Sequence, residues 1–517
     1  MENNRRRSRR SGGASEGAKS KGFNWGNEHL HQPNGMKYKI PQYQFLNDEQ
    51  LQKIEDMADT ILQEIGIEFR GHPSALELWK NAGADVNGEL VKMPKGMARK
   101  IIQDTTPETF TWHARDEAKS VQIGGDVMAF SVMAGAPFVR DQKGGRRYGT
   151  IADYQNIVKI AQSCPWMHHI GFLPLEPTDI TVNHRHLDMY YTSLAYSDKA
   201  SGTITTGDFK AEDAINMAKI AYGDVLNDKV VTGGNINVNS PLVIDDTMLS
   251  SAEVYAKNKQ PVVVTPFILT GAMGPTTVAG AIAQVLAEAM AGLAWLQLVN
   301  PGTPGIMGTF TSSMSLRTGA PTFGMPEPAL GYIAMGQLAK RLRVPLRGGG
   351  SLSSSPIADY QAGQESADTL MPTMLGQYNL GVQSVGWLEG GLSFGYEKMI
   401  LDLDHLGMMH KFTKGWELDH NDLGFDALSE NGPGHHCLGT AHTMANYKTA
   451  MYDPVASFSG SVEQWEEEGS LTSIERAGKV LEKILEQYEQ PVLEQSVDEE
   501  LKEYIAKRKT EIPATAA

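Results

Sequence analysis

The chain has 517 residues, of which 41% are hydrophobic and 21% are charged, so it can bury a large core. Its formal net charge of −15 at pH 7 argues against a nucleic-acid partner. The two cysteines, Cys164 and Cys437, exclude a disulfide framework and any metal site made of three or more thiolates, and they are typical of a reducing cytoplasm.

The N-terminal region begins with a basic stretch. Five of the first ten residues are arginines and the residues up to 31 are polar, so we predict a disordered basic tail over residues 1–40. Between 46 and 70 the apolar residues recur at helical spacing, with Asn47 as an N-cap. With shorter helical patterns at 74–82 and 94–103, this predicts a helical cap over residues 41–120.

From residue 121 onward, short β-rich runs alternate with helical segments. The runs lie at 128–133, 168–174, 202–206, 230–238, 261–269, 305–311, 344–350 and 385–389. Eight such units predict an α/β fold, a (β/α)8 TIM barrel over residues 121–412. A doubly wound open sheet is the main alternative, but the chain has no G-x-G-x-x-G after its first strand. We expect residues 413–517 to form a C-terminal extension whose late helices brace the barrel or contact another subunit.

No run of about 18 uncharged apolar residues occurs in the sequence, so we expect no membrane span. The histidines at 168–169, 184–186 and 435–436 lack nearby carboxylates at the spacing of zinc ligands. We therefore predict no metal ion.

The reactive groups of such barrels lie at the carboxyl ends of the strands. Here these ends carry amides, hydroxyls, aromatic rings and the glycines 348–350, which allow the backbone to approach a ligand. No lysine lies at a strand end, which disfavours a Schiff-base enzyme. Glu389 is the strongest single catalytic candidate, because a buried carboxylate needs a partner such as a bound cation.

Four motifs together resemble the trimethylamine methyltransferase superfamily. They are Gly-Thr-Phe-Thr-Ser-Ser-Met at 308–314, Met-Pro-Glu-Pro-Ala-Leu at 325–330, the glycine-rich segment 348–365 that ends in Asp-Tyr-Gln-Ala-Gly-Gln-Glu, and Gly-Pro-Gly-His-His-Cys-Leu-Gly-Thr-Ala-His-Thr at 432–443. The resemblance implies a (β/α)8 barrel, a homo-oligomer, and transfer of a methyl group to the cobalt of a corrinoid (cobalamin) held by a separate protein.

Archaeal members of the superfamily carry pyrrolysine at a position that matches Leu352 here. Its pyrrolysine-free relatives include enzymes that demethylate glycine betaine and other quaternary amines. A quaternary ammonium releases a neutral amine when it loses a methyl group, so it needs no acid, and the protein has only to orient it and exclude water. The resemblance therefore implies a quaternary-amine:corrinoid methyltransferase.

The cation is expected to bind to aromatic faces, at roughly 0.5–2 kcal/mol per contact. The predicted cage consists of Phe267, Phe310, Tyr332, Tyr360 and Trp387, with Glu389 balancing the charge. If the substrate has a carboxylate, Arg347 or the amides of Gly349 and Gly350 could receive it.

Three alternatives remain open at this stage. The glycine-rich loop could hold a phosphate in a barrel lyase or isomerase. The substrate could be of the trimethylamine type. The chain could also bind small betaines without catalysis.

Overall fold

The computed structural model describes residues 22–203 and 206–514. Residues 1–21 of the predicted tail lie outside the described residues. The expectation of disorder is wrong for residues 22–40, because Trp25 is buried and its indole N–H donates to the carbonyl of Ser163. Strand β1 (Met36–Lys37) pairs with residues 127–128 in an antiparallel arrangement.

The N-terminal region mixes helices and strands. The elements after β1 are α1 (Asp48–Thr60), β2 (Ile67–Arg70), α2 (Pro73–Ala82), β3 (Asp85–Asn87), β4 (Leu90–Lys92), α3 (Met97–Thr105), β5 (Thr109–Trp112) and β6 (Val121–Gly124). The purely helical cap is therefore a wrong prediction. In β2 the side chains of Ile67 and Phe69 are buried and Arg70 is exposed, which is the period-two pattern of a strand that the helical spacing before it obscured.

The central region alternates strands and helices, and its elements run as follows. They are β7 (Val127–Phe130), β8 (Phe138–Asp141), β9 (Gly145–Tyr148), α4 (Ile151–Ser163), α5 (Arg185–Tyr196), α6 (Asp208–Tyr222), β10 (Gly234–Val238), β11 (Val243–Asp245), α7 (Asp246–Lys257), β12 (Val262–Leu269), α8 (Val278–Val299), β13 (Gly305–Gly308), β14 (Phe310–Met314), β15 (Pro321–Thr322), α9 (Pro326–Leu342), β16 (Leu346–Gly348), α10 (Tyr360–Leu375), β17 (Leu380–Gly381), β18 (Trp387–Leu388), β19 (Ser393–Gly395) and α11 (Tyr396–Lys414). The predicted α/β class is confirmed.

Most of the central strands pair in parallel. Strand β12 pairs with β10, β13 and β14, and the series continues from β13 to β16, β17 and β7. Isolated parallel bridges join Ser131 to His169, His169 to Ala200, and Thr203 to Gly234. The carboxyl ends of these strands therefore share one edge.

The last parallel strand was placed wrongly from the sequence. It is β17, which contains only Leu380 and Gly381, whereas the predicted run 385–389 contributes β18 to an antiparallel pair with β19. A two-residue strand shows no periodicity, and the apolar residues around Trp387 gave a stronger signal.

Helix α8 lies in the core of the protein. Among the described residues it is the one helix long and apolar enough to cross a membrane, and 89% of its most apolar window is buried in the protein. Its buried Glu288 accepts hydrogen bonds from Ser240, Gln284 and the amide of Leu242. These features are typical of a core helix.

The C-terminal region consists of helices. They are α12 (His420–Leu423), α13 (Phe425–Asn431), α14 (Ala441–Asn446), α15 (Val462–Glu467), α16 (Ser473–Glu486) and α17 (Gln495–Glu511). Helix α16 packs on α11, and Tyr504 and Arg508 of α17 donate to Asp213 of α6. The two late helices thus pack against the central region, which is one of the two roles expected for them.

Gly336 allows α9 and the end of α10 to approach closely, because a Cβ on Gly336 would overlap the backbone carbonyl of Gly376. We expect Gly336→Ala to destabilise the protein by about 1–3 kcal/mol through overpacking. The control is Gly363→Ala on α10, where a Cβ meets no atom within 4 Å and alanine is the better helix former. Thermal unfolding should show a melting temperature below that of the wild type for Gly336→Ala but not for Gly363→Ala. Equal melting temperatures would contradict the close approach.

Candidate active site

A cavity of about 340 Å³ lies at the carboxyl ends of the parallel strands. Its lining residues are Asn237, Val238, Thr265, Phe267, Met273, Phe310, Pro321, Phe323, Arg347, Gln383, Trp387 and Gly390. Asn237 and Pro321 are exposed, so the cavity opens to solvent. We call this opening the mouth.

Four aromatic rings form one wall of the cavity. Phe267 and Phe310 are register partners on β12 and β14, with ring centroids 5.1 Å apart. The ring centroid of Phe323 lies 6.1 Å from that of Phe310 and 5.7 Å from that of Trp387. The ring centroids of Trp387 and Phe310 are 5.8 Å apart. Such a cluster presents several ring faces and edges to a ligand, and ring faces attract cations. We refer to these four residues as the aromatic cage.

Among the described residues that line the cavity, Arg347 is the only ionisable one, and it is 3% exposed. Its guanidinium donates to the side chain of Gln383 at 2.9 Å and to the carbonyl of Thr309 at 3.4 Å, and its carbon lies 5.6 Å from the Phe310 ring centroid. Its Nε has no hydrogen-bond partner, and no carboxylate pairs with it among residues 22–203 and 206–514.

Burial lowers the pKa of the Arg347 guanidinium to about 10. The group is still charged at neutral pH. A buried cation without a counterion is costly, so the cavity favours a ligand that brings a negative charge.

The segment that contains the glycines 348–350, which we call the glycine loop, positions Arg347 and Gln383. Gly348 packs against the ring of Tyr378, and Gly350 packs against the backbone of Ser384, where a Cβ would overlap. Because only glycine fits, the loop lies directly against the chain after β17. The amide of Ser351 then donates to the carbonyl of Gln383 at 3.0 Å.

The structure brings together four of the ten residues selected from the sequence: Phe267, Phe310, Arg347 and Trp387 all line the cavity. Gly349 and Gly350 are buried beneath it and do not line it. Their amides are therefore not placed to receive a substrate carboxylate, and the two glycines serve the packing of the loop.

Three other predicted residues lie elsewhere. Tyr332 is buried behind the cage, where its hydroxyl donates to the carbonyl of Thr311. Tyr360 begins α10 and is 84% exposed, so it cannot enclose a ligand. Leu352 is fully buried outside the cavity lining, and its amide donates to Thr369.

Glu389 does not line the cavity, although Gly390 beside it does. Its carboxylate accepts hydrogen bonds from Arg146 at 2.7 Å and from Ser393 at 2.6 Å. Burial acts to raise its pKa, but these hydrogen bonds and the charge of Arg146 outweigh burial and lower the pKa below the usual value. Its charge is therefore balanced by Arg146, and it is poorly placed to balance a bound cation.

The sequence reading missed Phe323 and Gln383. Phe323 precedes α9 in a turn rather than at a strand end, and its amide donates to Ser354. Gln383 was missed because the last parallel strand was placed at 385–389. With β17 at Leu380–Gly381, Gln383 would have been recognised as a strand-end residue.

A larger cavity of about 450 Å³ lies elsewhere, around Trp25 and Lys199. The Lys199 ammonium donates to the carbonyls of Ala161, Cys164 and Met167. All three of its donors are used at the C-terminus of α4, where the helix dipole favours a cation. This lysine therefore has a structural role.

The cavity lies at the carboxyl edge of parallel strands and combines an aromatic cage with a buried arginine that has no carboxylate partner in the described part of the chain. Such a concave, mostly apolar site with one charged group is typical of an enzyme that binds a small molecule. The comparison with known families makes the class specific. The family model of trimethylamine methyltransferase (MTTB) matches residues 6–513, and the chain belongs to this family, as its motifs predicted.

Three characterised relatives span most of the chain. The glycine betaine methyltransferase of Desulfitobacterium hafniense is 37% identical over 92% of this chain and 98% of its own length. The proline betaine:corrinoid methyltransferase of Eubacterium limosum is 26% identical over 89% of this chain and 97% of its own. The trimethylamine methyltransferase MttB of Methanosarcina thermophila is 26% identical over 77% of this chain and 83% of its own.

The pair Arg146–Glu389 gives a stability prediction. We expect Glu389→Gln to lower the free energy of unfolding at pH 7 by roughly 0.5–1 kcal/mol, because a partly exposed ion pair is lost. The melting temperature should fall accordingly. The folded-state pKa of Glu389 is lowered, so its contribution is present above the unfolded pKa and is lost as the pH falls through the folded pKa. The difference from the wild type should therefore shrink in acid.

A double-mutant cycle with Arg146→Gln checks the assignment. Once Glu389 has been replaced, the second substitution should have little further effect. Independent, additive losses would show that the two side chains do not support each other.

Proposed function

We propose that the protein transfers a methyl group from a betaine, a quaternary amine with its own carboxylate, to the cobalt(I) of a corrinoid held by a separate protein. The names of two relatives support this, one a glycine betaine methyltransferase and the other a proline betaine:corrinoid methyltransferase. The single observation that carries the proposal is the unpaired Arg347 beside the aromatic cage.

We further propose that the parallel strands close into a (β/α)8 barrel. The pairings support closure, because they run from β10 through β12, β13, β16 and β17 to β7, and the bridges at His169 and Thr203 lead back towards β10. The cavity then lies at the carboxyl end of the barrel, where such enzymes bind their substrates.

Charge selects the substrate class. A cation about 5 Å from Arg347 would be repelled by about 3 kcal/mol at an effective dielectric constant of about 20. A betaine overcomes this repulsion, because its carboxylate can accept hydrogen bonds from the guanidinium while its methyl groups contact the cage. The same argument disfavours trimethylammonium, choline and tetramethylammonium.

The proposed methyl transfer requires no general acid or base from this chain. When its carrier protein docks, the corrinoid supplies the cobalt(I) nucleophile that takes the methyl group, while the electron pair of the broken C–N bond stays on the nitrogen. The product amine is neutral at that nitrogen, so no side chain has to donate a proton. Arg347 anchors the carboxylate and the cage points a methyl group towards the mouth.

The weak attraction of the cage also suits the reaction. The positive charge on nitrogen disappears as the C–N bond breaks, so a strong anionic contact would stabilise the substrate more than the transition state. Aromatic faces hold the cation at only about 0.5–2 kcal/mol each. The pairing of Glu389 with Arg146 keeps that carboxylate from acting as such an anion.

The loops around the mouth expose apolar side chains that fit a protein partner. Tyr148, Leu316, Tyr360 and Leu392 are all exposed, and each lies in a segment that follows the carboxyl end of a parallel strand. We propose that the corrinoid protein covers them when it docks. Both cysteines are free, and we place the protein in a reducing cytoplasm.

The alternative of a phosphate in the glycine loop loses its support. The amides of Ser351, Leu352, Ser354 and Ser355 already donate to Gln383, Thr369, Glu365 and Ser353, respectively. Amides that are already paired cannot form an anion-binding nest. The remaining candidates, the amides of Gly349 and Gly350, belong to buried residues that do not line the cavity.

The substrate class can be tested directly. Purified protein is mixed with free cob(I)alamin and one amine at a time, and methylation is followed by the absorbance change of the cobalamin. We expect activity with at least one betaine and at least tenfold less with choline, tetramethylammonium or trimethylamine. The proposal would be refuted if the protein is folded but methylates cobalamin with no betaine in the panel.

Arg347 gives a second test. We expect Arg347→Met to raise the KM or Kd for the betaine by at least tenfold, because a buried charge-assisted contact of about 1.5–3 kcal/mol is lost. Arg343→Met, which removes an exposed arginine, is the matched control. Unchanged affinity in Arg347→Met would show that another group holds the carboxylate.

A further inference from the structure

Gln383 lies in an unusual backbone conformation. Its φ of 62° falls in the left-handed region, which residues other than glycine, asparagine and aspartate seldom adopt. Its carbonyl accepts a hydrogen bond from the amide of Ser351, so this conformation helps to join the turn after β17 to the glycine loop. The backbone by itself would favour glycine or asparagine at this position. The reason for a glutamine therefore lies in what its side chain contacts.

The side chain of Gln383 lines the cavity and reaches Arg347. The residue is 6% exposed, and its Oε1 accepts a hydrogen bond of 2.9 Å from the guanidinium. Arginine can only donate, so the oxygen end of the amide must face it. The second partner of the guanidinium is the carbonyl of Thr309, at 3.4 Å. Both acceptors are neutral, so they orient the guanidinium and leave its charge in place.

Two buried phenols near Arg347 do not neutralise it either. They belong to Tyr332 and Tyr378, whose negative charge, if present, would act on the guanidinium. Burial raises the pKa of both phenols well above the usual value, so both stay protonated and neutral at pH 7.

The acidic side chains that hold the segments around the cavity are already paired. Asp402 forms an ion pair with Lys398, and Glu389 forms one with Arg146. Glu365 accepts hydrogen bonds from the serines that follow the glycine loop. In the part of the chain that the structure describes, no carboxylate forms an ion pair with the arginine of the cavity. The positive charge of the site therefore depends on an amide, rather than a carboxylate, at position 383.

A single atom at position 383 decides the charge of the cavity. Glutamate has the same shape as glutamine, with an oxygen in place of the amide nitrogen, and would form an ion pair with the guanidinium. The cavity would then be neutral, so it would no longer repel a plain cation and would attract a carboxylate less strongly. With glutamine, the uncompensated charge favours a ligand that carries its own anion.

We propose that Gln383 is the positioning residue that sets the charge class of the substrate. It acts through Arg347, whose guanidinium it orients without neutralising, so that the site selects quaternary amines that carry a carboxylate. The inference rests on the proposed function, since it takes a betaine as the substrate. A merely structural glutamine, one that only supports the turn after β17, would affect all ligands alike.

The first experiment measures the binding of two probes to the full-length protein by calorimetry. Glycine betaine and choline share a trimethylammonium group, but only glycine betaine has a carboxylate. We expect Gln383→Glu to bind glycine betaine at least tenfold more weakly than the wild type does, and choline at least tenfold more tightly, because the charge of the cavity is neutralised. The ratio of the two Kd values should thus change by at least a hundredfold.

Gln383→Met is the matched control, because methionine has a similar length but has no charge and is only a weak acceptor. It should weaken the binding of glycine betaine by about threefold to tenfold, through the lost orientation of Arg347, without tightening the binding of choline. If Gln383→Glu does not fold, this variant still decides the matter. Binding of glycine betaine equal to that of the wild type would overturn the inference.

The second experiment needs no substrate. At pH 7 and without ligand, Gln383→Glu should raise the melting temperature, because it gives the buried guanidinium a counterion. In the background of Arg347→Met, the same substitution should lower the melting temperature, because the carboxylate is then buried alone. The opposite signs would identify a charge interaction between the two positions.

Two further results would overturn the inference. One is an equal change of affinity for both probes in Gln383→Glu, and the other is a shift in melting temperature of the same sign in both backgrounds. A wild type that demethylates no betaine would refute the proposed function, whereas the melting temperatures test the charge interaction without any substrate. The two failures can therefore be told apart.

Discussion

The hydrogen bond between Arg347 and Gln383 is the contact on which the site depends. It holds a buried guanidinium 2.9 Å from a neutral amide and without a carboxylate partner among the described residues. An aspartate or glutamate in place of Gln383 would neutralise the arginine and remove the reason for a ligand to bring its own charge. The neutral partner fixes the direction of the guanidinium and leaves its charge uncompensated.

The backbone around this contact is held from behind by buried polar groups. Glu365 of α10 accepts from the hydroxyl of Ser353 and the amide of Ser354, and Asp402 of α11 accepts from the amide of Gly386. Burial raises the pKa of Asp402 to about 6 despite the ion pair with Lys398. Both loops that carry the site are thus fixed to helices, which keeps the cavity preorganised and reduces the ordering cost of binding.

The mouth presents a small cage and a rim of separate exposed apolar side chains, which suits the proposed partner, a protein that must bind and leave.

The sequence by itself determined the α/β class, the family, the glycine loop and four of the lining residues. Phe267, Phe310 and Arg347 could be found because they lie at the carboxyl ends of strands whose apolar runs are long enough to recognise. Only the tertiary structure decided the rest. Gln383 follows a strand of two residues, and Phe323 reaches the cavity from a turn, so neither has a local pattern to reveal it. Tyr360 and Glu389 were misplaced for the same reason: exposure and pairing with Arg146 are set by how distant segments pack, which the spacing of residues along the chain does not encode.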